Sequence, residues 1–329
     1  MSTLLLVSLI WTCASWGETL KDGEYRIALP EHKGQLSWFI DGYKIVENSA
    51  KPDGSEIGVR GRDASGQRTF LGFLFLVREA SPMTGARCRE AVLAEEKKAN
   101  GTLKIITTAE IPRSDALPVA LVAYSTANRD GSLAYRVRGF VAANDLCGDL
   151  EFYSGKPIGD DDPSLKKAFL SFQLDVNHVP QFSDVALFAE ILFRKQQYRA
   201  AAPMFEKCLA MVPPNGAPFK SAKFARRVMR DQAGMSYGIS GDLVRSRSIF
   251  EKGTSEDPDY PMYYYNLACA DAGEQKLAEA RVHLQQAFDR KANVNPSEAM
   301  PAPTEDDSFT PFKGNKEFWA FLKRLEAGK

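Results

Sequence analysis

The stretch Ala233-Gly-Met-Ser-Tyr-Gly-Ile-Ser-Gly-Asp-Leu-Val-Arg-Ser-Arg-Ser-Ile-Phe250 decides how the C-terminal half of this chain of 329 residues folds. Small and aromatic residues recur in it at helical spacing on both sides of Gly241, which predicts two helices joined by a turn. The pattern returns between Leu267 and Ala287, where Ala280 follows Ser246 by 34 residues. A helical pair of this kind cannot bury its apolar face alone, so we expect the pairs to stack.

A third copy precedes these two and lies between Phe188 and Pro213. Its Ala201 stands 45 residues before Ser246, so the first junction carries extra residues. A period of 34 residues, small residues where two helices cross and a closing proline such as Pro258 resemble the tetratricopeptide repeat (TPR). The resemblance implies an all-α stack of three units over residues 179–329, completed by a closing helix. Its expected core positions are Leu192, Phe205, Tyr237, Phe250, Leu267 and Leu284.

The TPR resemblance also implies a groove for another protein, lined by the first helix of each unit. Six side chains are expected to face this groove: Glu190, Arg194, Asp231, Met235, Tyr265 and Asn266. Their mixture of charge, thioether, amide and phenol suits an extended peptide or loop. It does not match the clamp by which some family members hold a C-terminal carboxylate, because Ala186 and Glu190 stand at clamp positions.

A basic stripe occupies the extra residues before the second unit. It consists of Lys220, Lys223, Arg227 and Arg230 at helical spacing, with Phe224 and Val228 marking an apolar side. Such a stripe could dock an acidic partner. The alternative is a solvated helix face whose charges are neutralised by local ion pairs.

The N-terminal half alternates with a period near two, which predicts strands. Asp41-Gly42 and the stretch 63–66 are turn signals between predicted strands and favour two hairpins. The stretches 84–99 and 160–172 favour helices. The resulting α+β order of antiparallel strands and flanking helices over residues 18–178 resembles the PsbP-like sandwich. A bacterial exported architecture that joins such a module to TPR units resembles this chain in the stretches 234–242, 260–270 and 300–303, and resembles the first half in topology alone. The resemblance implies no established enzymatic role.

The first residues resemble a secretory signal peptide over residues 1–17, with an apolar run from Leu4 to Trp16 that is too short to span a bilayer. A lipoprotein start at Cys13 and a buried N-terminal helix are the alternatives. Export would place the chain in an oxidising compartment, where Cys88 and Cys147 could form a disulfide; otherwise they are two unpaired core cysteines. Periplasmic or secreted localisation follows from the same prediction.

Charge and motifs exclude several classes of function. Lys+Arg and Asp+Glu are equal at 42 each, so no net field recruits nucleic acid, and no motif predicts a metal site or cofactor. The stretch 234–238 matches the G-x-S-x-G elbow of serine hydrolases through Ser236, but the repeat explains the same letters. Three aspartates at 160–162 could bind calcium or start a helix. We expect a non-enzymatic exported adaptor. The alternative is an N-terminal domain that binds a small ligand, with repeats that form a homo-oligomer.

Overall fold

The computed structural model describes residues 22–77, 82–114, 116–158, 162–217, 219–296 and 298–328. The described residues divide into two compact units, residues 22–194 and 195–328. The predicted signal peptide, residues 1–17, lies outside the described residues. Among the described residues, no helix is both long enough and apolar enough to cross a membrane.

The N-terminal unit is an α+β fold with two antiparallel sheets. Seven strands form the larger sheet in the order β3-β4-β5-β9-β8-β7-β6, and three form the smaller sheet in the order β1-β2-β10. The strands are β1 (Glu24–Ala28), β2 (Gln35–Phe39), β3 (Tyr43–Ala50), β4 (Glu56–Asp63), β5 (Arg68–Leu76), β6 (Lys104–Ile111), β7 (Val119–Ala127), β8 (Leu133–Ala143), β9 (Leu146–Ser154) and β10 (Gln173–Asp175).

One of the two predicted hairpins is confirmed and the other is wrong. Strands β4 and β5 pair across the turn that contains Gly66. At Asp41-Gly42 the turn exists, with a positive φ of 78° at Gly42, but β2 and β3 enter different sheets. The reason is burial: Trp38 of β2 is fully buried and its ring lies 5.9 Å from that of Phe70 in β5. Strand β2 therefore packs over the larger sheet instead of extending it.

Three helices flank these sheets: α1 (Gly85–Ala99), α2 (Pro163–Ser171) and α3 (Phe182–Arg194). The start of α1 is fixed by the Thr84 side chain, which accepts a hydrogen bond from the Arg87 amide. At α2, the Asp162 side chain accepts from the amides of Ser164 and Leu165, as the helix-start interpretation predicts. Helix α3, which the sequence assigns to the first repeat, groups with the N-terminal unit.

A disulfide joins α1 to the larger sheet. Cys88 and Cys147 are bonded, with their Cα atoms 6.2 Å apart. The bond lies in a buried cluster that also contains Met83, Ala120, Val122, Tyr124, Phe140 and Ala142. The pairing that the sequence left open is therefore made in this structure.

The C-terminal unit is a stack of helices in which each packs against the next. They are α4 (Tyr198–Met211), α5 (Ala222–Ile239), α6 (Leu243–Glu256), α7 (Pro261–Gly273), α8 (Leu277–Asp289) and α9 (Lys316–Glu326). Helices α5 and α7 also contact each other. A Cβ atom on Gly234 would lie 2.4 Å from the Phe250 ring, and one on Gly253 would lie 2.7 Å from the Tyr263 ring. Small residues are thus required where these helices cross.

The chain after α8 contains little regular structure before the closing helix. A short 3-10 turn spans Lys291–Asn293, and a second spans Asp307–Phe312. Helix α9 then closes the stack as predicted, and its Phe318, Phe321 and Leu322 are buried. The intervening residues run along α5 and α7 and form part of the site described next.

Candidate functional site

Helices α5 and α7 lie side by side and present a polar face that is already occupied by the chain itself. We call it the α5/α7 face and define it by Arg227, Asp231, Tyr260, Tyr265, Asn266 and Cys269. The residues that lie on it, 293–296 and 298–306, are called the covering segment. Every predicted groove residue of the second and third units belongs to this face or borders it.

Arg227 begins the face near the start of α5. Its Nε and Nη2 atoms donate to the Asp257 carboxylate at 2.6 and 3.2 Å, and its guanidinium lies 4.5 Å from the Tyr260 ring centroid. The remaining nitrogen, Nη1, donates to the carbonyl oxygen of Asn293 at 3.0 Å and to Oδ1 of Asn295 at 3.4 Å. Arg227 therefore links the helical stack to the covering segment.

Asp231 lies one turn further along α5 and is buried. Asn266 of α7 donates from Nδ2 to Asp231 Oδ1 at 2.6 Å. Burial, followed by the nearby negative charge of Glu298, raises the pKa of Asp231 well above its ordinary value, and the hydrogen bond from Asn266 opposes this only partly. A proton on Asp231 relieves the electrostatic repulsion between its carboxyl group and that of Glu298 in the covering segment.

Tyr260 holds the middle of the covering segment. Its hydroxyl donates to Glu298 Oε2 at 2.7 Å, while Asn295 donates from Nδ2 to Glu298 Oε1 at 2.8 Å. Burial and the charges of Asp231 and Glu298 raise the pKa of Tyr260 well above its ordinary value. The phenol therefore keeps its proton and acts as a donor to the Glu298 carboxylate.

The far end of the covering segment is held by α7. The Tyr265 hydroxyl donates to Asp306 Oδ2 at 2.8 Å, and Cys269 Sγ lies 3.9 Å from the same oxygen. Phe309 follows and is fully buried, with its ring 5.9 Å from that of Tyr265 in an edge-on contact. This end of the segment is anchored in the core below α9.

The predicted groove residues of the second and third units do not line an open surface in this structure. Asp231 and Tyr265 are buried, so in this conformation their side chains do not line an open groove. Met235 packs against the aromatic cluster of Phe250, Tyr260 and Tyr263. Burial of the covering segment against α7 is the physical reason for the difference.

Glu190 and Arg194 lie on α3, in the N-terminal unit. Arg194 Nε donates to Glu190 Oε1 at 2.6 Å along the same helix. The two charges therefore satisfy each other, in the i, i+4 geometry that is common on helix surfaces.

Local ion pairs neutralise most of the predicted basic stripe. Lys223 Nζ lies 3.1 Å from Asp257, Arg227 is bound to the same carboxylate, and Arg230 is paired with Glu256. Lys220 precedes α5 and is exposed. Acidic residues at the end of α6 thus lie within reach of Lys223, Arg227 and Arg230, which is the arrangement expected from the alternative of local ion pairs.

Ser236 is not a nucleophile in this structure. It lies inside α5 with no exposed surface, and its hydroxyl donates to the Gln232 carbonyl oxygen at 2.7 Å. The downstream histidine, His283, has its Nδ1 atom 2.6 Å from Asp271 Oδ2. A nucleophile elbow requires a strand before the serine, so the hydrolase alternative is wrong.

The small-ligand alternative requires a cavity between α1 and the larger sheet. Among the described residues this space is filled by the apolar cluster around the disulfide and by a buried ion network. Arg138 of β8 donates from Nε to Asp149 Oδ1 at 3.1 Å and from Nη1 to the Tyr124 hydroxyl at 3.2 Å. Burial alone would lower the pKa of Arg138, but the charges of Asp149 and Glu151 outweigh it and raise that pKa.

Two further features bear on ligand binding. A surface pocket of about 620 Å³ lies beside α4 and the turn from α5 to α6, and Arg199, Tyr237 and Arg245 are part of its wall. Arg245 forms an ion pair with Asp242 and donates a hydrogen bond to the Tyr237 hydroxyl. No group of three or more His, Cys, Asp or Glu side chains that could hold a metal ion occurs within the described ranges. Asp160 and Asp161 of the calcium alternative lie outside them.

Comparison with known proteins gives structural similarities only. No protein-family model matches this sequence, and no curated protein matches it. Solved structures that resemble parts of the chain include the type III secretion translocator chaperone SycD of Yersinia enterocolitica, with 16% identity, a TM-score of 0.30 and coverage of 45% of this chain and 92% of that one. The TPR domain of Sgt2 from Aspergillus fumigatus has 13% identity, a TM-score of 0.30 and coverage of 46% and 84%.

The cyanobacterial PsbP of Synechocystis has 11% identity, a TM-score of 0.35 and coverage of 48% of this chain and 96% of that one. These structures include a TPR domain and a PsbP protein, the two fold classes that the sequence resembles. All three TM-scores lie below 0.5, and none of these proteins supplies a function for this chain.

Proposed function

We propose that this chain is a non-enzymatic adaptor that binds another protein through its C-terminal helical stack. The observation that carries the proposal is the α5/α7 face, where side chains of two neighbouring helices hold a stretch of polypeptide without helix or strand. Stacked helical pairs present such continuous surfaces because each pair contacts only its neighbours. A face that holds such a stretch is suited to a peptide segment or loop of a partner.

The proposal includes export to the periplasm or the cell exterior. It is supported by the signal-like start of the sequence and by the disulfide between Cys88 and Cys147, since disulfides persist mainly in oxidising compartments. Fractionation of cells that express a C-terminally tagged chain tests this part. We expect the tagged protein outside the cytoplasm, with its mass lowered by about the mass of the signal peptide. Full-length protein in the cytoplasm would contradict export.

Site-specific photo-crosslinking in cells tests the binding surface. A photoreactive amino acid at Met235 is half-buried beside the α5/α7 face, whereas one at Val282 is exposed on α8 and serves as the matched control. We expect Met235 to capture one dominant protein, identified by mass spectrometry, and Val282 to capture little of it. Equal capture at the two positions, or capture at neither, would argue against this surface.

A further inference from the structure

The covering segment has the composition of a ligand rather than of a repeat. It has no Lys or Arg and carries Glu298, Glu305 and Asp306, with Asp307 directly after it. Prolines at 296, 301 and 303 keep it out of helices. Long connections without secondary structure inside a compact domain are uncommon and are usually functional.

Side chains of α5 and α7 attach the covering segment, and one of them, Arg227, also donates to the backbone carbonyl oxygen of Asn293. Arg227, Tyr260 and Tyr265 reach Asn295, Glu298 and Asp306 respectively. In the ranges 219–296 and 298–328, no backbone–backbone hydrogen bond joins the segment to either helix. The segment can therefore leave the face without breaking the hydrogen bonds that form the helical stack.

The three attaching groups are all donors. The guanidinium is aimed at a backbone carbonyl oxygen and an amide oxygen, and the two phenols are aimed at carboxylates, which defines the chemistry that the face recognises. Asn295 and Glu298 are three residues apart, and the Asn295 side-chain amide donates to the Glu298 carboxylate. A basic or apolar segment would leave the two phenols without carboxylate acceptors, which is costly in a buried site.

We infer that the α5/α7 face binds an acidic segment of a partner protein without regular secondary structure, with an asparagine followed three residues later by a glutamate, and that the covering segment occupies the face until such a partner displaces it. This inference rests on the proposed function and adds the class of partner and the reason why binding is restrained. The covering segment competes as a tethered ligand, at an effective concentration that is in the millimolar range for short flexible linkers.

Binding of a labelled peptide to the full chain tests the inference. The probe is a synthetic peptide with the sequence of residues 293–309, measured by fluorescence anisotropy. E298Q replaces the carboxylate that accepts from both Tyr260 and Asn295 with an uncharged amide that has a single acceptor oxygen, and we expect it to raise the affinity for the peptide roughly ten- to a hundredfold over the unaltered chain. The matched control is E305Q: Glu305 is exposed and has no side-chain hydrogen bond among the described residues, so its affinity should remain that of the unaltered chain.

Three results would overturn the inference. The first is folded E298Q that does not bind the peptide, and the second is an equal gain in E305Q. The third is a dimer of E298Q, detected by light scattering, that the peptide dissociates, because the face would then serve a second copy of this chain.

Hydrogen exchange on the unaltered chain covers the case in which E298Q does not fold. We expect the amides of the covering segment to exchange at least a hundredfold faster than those in the middle of α7. Equal protection would mean that the segment is a fixed part of the core, and the inference would be wrong.

The two proposals fail separately. If the peptide binds E298Q but crosslinking captures no protein, the recognition chemistry stands and the adaptor function does not. If crosslinking captures a partner whose yield is the same in the E298Q chain and the unaltered chain, the adaptor function stands and the covering segment does not restrain it.

Discussion

The side-chain amide of Asn266 donates a 2.6 Å hydrogen bond to the buried carboxyl group of Asp231 and so joins the two helices of the α5/α7 face. Burial raises the pKa of Asp231 well above its ordinary value, and Glu298 adds to the effect. The folded chain therefore retains a proton on Asp231 at pH values where the unfolded chain has lost it. Stability gained from this proton is complete below the ordinary carboxyl value of 3.8 and is lost as the pH rises towards the folded-state pKa.

This linkage predicts the pH dependence of D231N. Within that window the free energy of unfolding of the unaltered chain should fall by about 1.4 kcal/mol per pH unit because of this group. D231N keeps the acceptor oxygen for Asn266 but has no proton to lose. Its denaturation midpoint should therefore not show the fall with rising pH that Asp231 causes. Urea unfolding at a series of pH values measures it. D259N changes an exposed aspartate of the same unit and should retain the slope; a retained slope in D231N would contradict the assignment.

Substitution of Arg138, which is buried on the larger sheet, should strongly lower the free energy of unfolding. R138M leaves Asp149 without its main partner and removes one of the two cations beside Glu151, the other being Arg136; breaking such a buried pair costs about 3–5 kcal/mol. R60M is the matched control on the same sheet, because its ion pair with Glu47 is 39% exposed on both sides and should change stability by about 0.5 kcal/mol or less. Chemical denaturation of the two variants measures the difference. Similar losses in both would show that the buried network does not stabilise the sheet.

The sequence predicts the local elements of the N-terminal unit better than their pairing. The turn at Asp41-Gly42 is real, but a turn signal does not specify whether the strands on its two sides stay together. Here the Trp38 ring packs against the Phe70 ring, which is a contact between residues far apart in the sequence. Sequence periodicity contains no information on that contact, whereas the turn between β4 and β5 joins strands that are neighbours in the same sheet.

The disulfide should stabilise the N-terminal unit considerably. It closes a sequence separation of 59 residues, for which the chain-entropy estimate is about 4 kcal/mol. We expect C88A/C147A to lose about this amount, and a reductant to lower the unfolding midpoint of the unaltered chain but not that of the double variant. C208A, at a buried free thiol of the C-terminal unit, should respond to reductant like the unaltered chain. A midpoint that reductant does not move would mean that the bond is absent in solution.

The sequence predicts the helical part of the candidate site but not the covering segment. The repeat template identifies Asp231 and Asn266 as neighbours of one face, since both occupy first-helix positions. It cannot identify the covering segment, because residues 293–306 follow no period and their acceptors match donors far away in sequence. The one available signal is the spacing of Asn295 and Glu298, which resembles a helix-capping pair although the chain makes only a turn there.

A backbone feature shared by the helical pairs gives the last prediction. Gly241 and Gln275 stand 34 residues apart, end α5 and α7, and have positive φ angles of 92° and 59°. Each is followed by an amide that bonds five residues back, from Asp242 to Tyr237 and from Lys276 to Asp271. This is the left-handed end of a helix, where glycine is preferred because it lacks a Cβ atom.

We therefore expect Q275G to stabilise the C-terminal unit by about 0.5 kcal/mol, and G241A to destabilise it by about 1 kcal/mol. Q285G makes the same change inside α8, at an exposed position with ordinary helical backbone, and should instead cost about 1 kcal/mol. Thermal unfolding of the three variants separates these effects. If Q275G and Q285G lose stability alike, the left-handed turn imposes no strain on Gln275, and the equivalence of the two helix ends would be one of sequence position alone.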